Sequence, residues 1–155
     1  MGLWLRVFGS ASVQPQPAAL LEHLHGLGYQ VGGDFRGDDH GWFQAELQFD
    51  DTAAPLQLDC FQAREDDLRN ELNAWAAWLE TLDDGPNHGR LMQQVISTTQ
   101  LYTLELPETE LNEERGMAIC RFLARATDGI YQVDDHGFFD REGDLLVAEV
   151  GHGHT

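Results

Sequence analysis

The sequence predicts an α+β domain in which internally duplicated β-α-β-β units form a largely antiparallel sheet, with helices packed on it and a helical insert between the halves. Three observations lead there. The order strand, helix, strand, strand is written twice, and the two copies share words: "DDHGWF" at Asp38–Phe43 and "DDHGFF" at Asp134–Phe139. Between them lies a leucine stripe of helical period that belongs to neither copy.

"LWLRVF" alternates Leu3, Leu5 and Val7 against Trp4, Arg6 and Phe8, as a strand does. "VQPQPAALLEHLHGLG" then sets Leu20, Leu21, Leu24 and Leu27 at helical spacing. Pro17 suits the first turn of that helix, and Gly26 or Gly28 suits a left-handed cap at its end. "YQVGGDFRG", the first DDHG and "WFQAELQF" read as a β-hairpin, and "LQLDCFQA" as a further strand.

In the insert, Leu68, Leu72, Trp75, Leu79 and Leu82 lie four or three apart, the clearest amphipathic helix in the chain. Glu65, Asp66 and Asp67 stand at its positive end, "DDGPN" breaks it, and a short helix follows over Gly89–Val95. Trp75 is expected in the core, whereas Trp78 falls off the stripe and is expected at an edge or interface.

The second half opens with "STTQLYTLELP", a strand that Pro107 ends. Its helix carries an apolar stripe of Ala118, Ile119, Phe122, Leu123 and Ala126, with Thr109 or Asn112 as candidate cap and Gly129 beyond its end. "IYQV", the second DDHG, "FFD", a "DREG" turn and "DLLVAEV" complete it. In both halves the helix ends in Gly and Tyr-Gln-Val follows; the first copy has six extra residues, "GGDFRG". The whole reads as a single domain over residues 1–155: pseudo-repeat 1 over 3–64, a helical connector over 65–96, pseudo-repeat 2 over 97–150 and a flexible tail over 151–155.

Composition narrows the chemistry. There are 27 acids against 9 bases, a net charge of -18, and all nine bases are arginine. Without lysine there is no Schiff-base or P-loop chemistry, and a chain this acidic is poorly suited to neutralising nucleic-acid phosphates. Two cysteines, Cys60 and Cys120, are too few for a disulfide framework. With no basic n-region at the N-terminus and no membrane-length apolar run, the expected setting is the cytoplasm. HExxH, GxSxG, GxGxxG and Walker sequences are absent, and no serine sits in a nucleophile-elbow setting. No catalytic residue and no cofactor is assigned, and a non-enzyme is the favoured reading.

Two readings of the repeated DDHG compete. Asp38, Asp39 and His40 with Asp134, Asp135 and His136 supply carboxylates and imidazoles, and a pseudo-twofold axis bringing the turns together would assemble a metal site. The preferred reading is a turn, because Asp-x-x-Gly provides a local acceptor and a glycine for positive φ. "DREG" has the same form without histidine. His23 and His25, two apart on a helix, cannot face one ligand together, and His152 and His154 lie in the tail.

Two functions follow. The first is a non-enzymatic acidic protein-binding domain, an inhibitor or immunity-type partner of a basic protein, its acids clustered on one face. The second is a small-molecule or metal-binding protein with its site between the halves. In element order the chain resembles the vicinal-oxygen-chelate (glyoxalase-like) architecture, which implies paired modules around a metal. The His and Glu ligands of that family are not evident: "LWLRVF" has no His and "STTQLYTLELP" offers only Glu105. A third use, association through exposed aromatics such as Trp42, Phe43, Phe138 and Phe139, competes with their ordinary use in the core.

Overall fold

A computed structural model describes residues 2–39, 41–49, 55–62, 66–81, 87–107 and 109–148. The element order is β1 (Gly2–Gly9), α1 (Pro17–Gly26), β2 (Val31–Asp38), β3 (Gly41–Phe49), β4 (Leu56–Gln62), α2 (Asp66–Glu80), α3 (His88–Ile96), β5 (Gln100–Pro107), α4 (Glu110–Ala126), β6 (Ile130–Val133), β7 (Gly137–Phe139) and β8 (Leu145–Ala148). The eight strands form one antiparallel sheet in the order β2-β3-β4-β5-β1-β6-β7-β8. Every predicted strand and helix of the two halves is present.

The sheet order refines the expectation of two repeated units. β1 and β5, the first strands of the halves, pair in the middle, but each continues the other half's ladder: β5 joins β4, and β1 joins β6. The remaining strands are also laid down in opposite sense, since the last strand β4 adjoins the centre in one half and the first, β6, in the other. Sheet placement thus does not repeat from one half to the other and gives the expected duplication no support, while all eight strands share one continuous sheet.

Alternation in β1 explains why both sheet faces carry helices. Leu3, Leu5 and Val7 turn to one face, where they pack with Leu20 and Leu24 of α1 and Ile119 and Leu123 of α4. Phe8 turns to the other, against Leu68 and Leu79 of α2 and Leu91 and Val95 of α3. Trp78 belongs to this second core, its ring 5.7 Å from Trp75 and 5.9 Å from Phe138. The sequence placed Trp78 at an edge because the leucine stripe alone is too narrow; a cluster of large rings widens the buried sector.

Caps follow local chemistry. Pro17 opens α1 and Gly28, with φ 96°, follows its end. Thr109, rather than Asn112, caps α4 by accepting from the Asn112 amide at 3.1 Å. Past α4 the positive φ falls on Asp128 (53°), not Gly129. Gly129 serves close approach instead, because an added Cβ would meet the Phe8 carbonyl oxygen. Gly137 combines both demands: its φ is 132° and a Cβ would overlap the Val147 carbonyl oxygen. Gly137→Ala should therefore destabilise the fold by about 2–4 kcal/mol, read as a lowered thermal midpoint.

Candidate functional site

Helices α2 and α3 cover only part of their face of the sheet. Beyond them, register carries one row of side chains across five strands: Trp4 stands opposite Glu105, Glu105 opposite Gln57, Gln57 opposite Glu46, and Glu46 opposite Asp34. The next row runs Arg6, Thr103, Asp59, Gln44, Arg36. Directly opposed residues of an antiparallel ladder point to the same face, so four carboxylates from four strands share one surface. Trp4, Glu105, Gln57, Asp34 and Arg36 are exposed; Glu46, Asp59, Thr103 and Gln44 are half-buried.

Where this surface meets α2 there is a cleft of about 260 Å³. Phe61, Leu68 and Leu101 give it an apolar lining, and Trp4, Asp59, Glu71 and Thr103 bring aromatic and polar groups to it. Trp4 is 36% exposed, unusual for so large an apolar side chain. Two carboxylates, an indole and an apolar lining suit a cation carried on an aliphatic stem: the carboxylates compensate its charge, the ring face attracts it, and the lining packs the methylenes.

The arginine nearest the cleft already has partners. Arg6 Nη1 donates to Asp134 Oδ1 at 2.9 Å and to Gln132 Oε1 at 2.8 Å, with its guanidinium 5.6 Å from the Trp4 ring centroid and 5.1 Å from that of Trp75. Gln132 Nε2 donates to the same Asp134 oxygen at 2.8 Å. The network ties β6 to β1 and steadies the ring beside the cleft.

The two DDHG segments occupy turns. The first joins β2 to β3, where Gly41 has φ 131°; the second joins β6 to β7, with positive φ at Asp135 (68°) and Gly137. The second departs from the expected turn chemistry, because Asp134 accepts from side chains, Arg6 across the strands and Gln132 two residues before it. Asp140 of "DREG" does make the local bonds, accepting from the Glu142 and Asp144 amides at 3.0 and 2.9 Å. His136 Nε2 lies 3.2 Å from Glu113 Oε1 of α4.

Among the described residues the structure does not bring the candidate metal ligands together. Strand directions put Asp38 and Asp39 at the Gly9 end of the sheet, and Asp134, Asp135 and His136 at the Gly2 end. Four strand spacings, about 19 Å, also separate β3 from β6. His40, His152 and His154 lie outside the described residues, and among the described residues no three His, Cys, Asp or Glu side chains form a metal-holding group.

Other candidates fall into place as core. Cys60 and Cys120 are buried, as are Trp42 and Phe138, while Phe139 stacks on Tyr131 at 5.2 Å; Phe43 is the exposed member of its set. Around Cys60 a polar knot forms: Gln14 Nε2 donates to the Trp42 carbonyl at 2.7 Å and to Cys60 Sγ at 3.3 Å, and the Tyr102 hydroxyl donates to Gln100. Sequence reasoning missed the cleft because its rim comes from residues 4, 59, 71 and 103, brought together only by tertiary pairing. The one signal for it was the polar alternation of β4 and β5.

Comparison of this chain with protein-family models, with curated proteins and with solved structures finds no match. No helix among the described residues is long and apolar enough to cross a membrane.

Proposed function

We propose that this chain is a non-enzymatic binding protein, of the inhibitor or immunity kind, whose open sheet face receives a basic protein. An arginine or lysine of that partner enters the cleft beside Trp4. The observation carrying this reading is the set of carboxylates on the part of the sheet face that α2 and α3 leave open, beside an exposed tryptophan. Charge complementarity selects the partner: a face with Asp34, Glu46, Asp59 and Glu105, on a chain of net charge -18, attracts cationic proteins and repels nucleic acid. A cytoplasmic setting suits the two buried thiols. The alternative, a small ligand held between the halves, would use the same cleft, whose lining comes from both; the acidic face beyond it favours a protein partner.

A synthetic arginine-rich peptide tests the proposal, with indole fluorescence as the readout. Saturable binding is expected, weakening about tenfold or more between low and physiological salt as screening takes hold. Trp4→Phe should remove most of the signal change. Binding that ignores salt, or a signal that survives without Trp4, would remove this site.

A further inference from the structure

The edge strand β2 pairs with β3 on one side only, and its residues from Gly32 to Asp38 are exposed except for half-buried Phe35. Exposed edges are ordinarily guarded by proline, shortness or like charges. β2 is eight residues long, has no proline, and has glycine at 32, 33 and 37, which leaves few side chains to obstruct an approaching backbone. Asp34 and Arg36 flank Phe35 on the open face, and neither has an ion-pair partner among the described residues.

That pattern is self-complementary. If β2 pairs antiparallel with a second β2 about a twofold axis at Phe35, Asp34 stands opposite the partner's Arg36 and Arg36 opposite the partner's Asp34. The two phenylalanines then meet on the other face. Opposed charges on directly facing positions stabilise an antiparallel pair, and both pairs arise from one contact because a twofold interface is isologous. The bulge between Arg36 and Gly37 ends the regular pairing there, so the twofold contact is built on Asp34, Phe35 and Arg36 of each copy.

We propose that the β2 edge is a self-association surface, taking a second copy of this chain in a weak, concentration-dependent dimer with one sheet continuous across it. This surface touches the acidic face at Asp34 but not the Trp4 cleft, which lies two to four strands away on β4, β5 and β1.

Sedimentation equilibrium at moderate ionic strength tests it, salt being needed to screen two chains of net charge -18. Twice the chain mass is expected as concentration rises. Arg36→Asp and Asp34→Arg each put like charges opposite one another and should raise the dissociation constant about tenfold or more. Mixing the two single variants restores opposite charges at both positions, so a heterodimer should form where neither variant self-associates. The double variant carrying both substitutions should dimerise like the parent. A parent that stays monomeric at every concentration would overturn the proposal. So would a dimer indifferent to the single substitutions, or single variants that fail to pair on mixing.

Discussion

Above about pH 10 this protein should lose stability at about 3 kcal/mol per pH unit, from two groups held neutral inside the fold. Burial pushes the Tyr102 hydroxyl far above its ordinary 10.0, with the neighbouring Cys60 thiol adding to the rise, and burial alone does the same to the Cys120 thiol from 9.0. Both side chains are 1% exposed. The unfolded chain releases these protons at their ordinary pKa values while the folded chain keeps them. Their contribution is therefore complete below about pH 9 and declines as pH rises toward the folded values. Burial also raises Tyr131, in the same direction. A domain with an ordinary 5–15 kcal/mol of stability should unfold within a few pH units of that onset. Denaturant midpoints measured across the alkaline range check this. Tyr102→Phe and Cys120→Ala should each flatten the slope by about 1.4 kcal/mol per pH unit. Titration of Tyr102 near its ordinary value in a chain that remains folded would contradict it.

Replacing Asp59, Glu71 and Glu105 together by their amides should weaken an arginine-rich partner about ten- to hundredfold while leaving the fold intact. Each side chain keeps its shape and loses its charge, and solvent-accessible pairs contribute up to about 1 kcal/mol apiece. Glu71 and Glu105 are exposed and Asp59 is half-buried, so no deeply buried charge is disturbed. Calorimetric titration reads the affinity, and the salt dependence should flatten along with it. Amide substitution at Glu110, Glu114 and Glu142, exposed acids outside the open face, is the matched control and should cost far less. Equal losses in the two triple variants would mean that overall charge, not this face, attracts the partner.

Local elements were legible because their determinants are local. Alternation in β1, prolines before α1, the Leu68–Leu79 stripe and the Asp-x-x-Gly turns each express a rule acting over a few residues. Sheet order was not, because the central pairing joins Leu5 to Leu104, residues far apart in the chain that no local rule connects. The repeated DDHG shows the same limit: nearly identical words stand at opposite ends of one sheet, with a positive φ at Asp135 and none at Asp39. Asp34, Glu46, Asp59 and Glu105 lie on four different strands, and only register makes them one surface. Trp4 read as one polar-phase position of a strand; what distinguishes it is that α2 stops short of covering it.

The most direct test of the central claim is a backbone and indole chemical-shift map of the isotope-labelled protein titrated with an arginine-rich peptide. The account predicts shifts at the Trp4 indole and at Asp59, Thr103, Glu105 and Glu71, fading along β3 and β2 and absent from α1 and α4. Shifts spread evenly over every acidic stretch, or centred on the α1–α4 face, would contradict it.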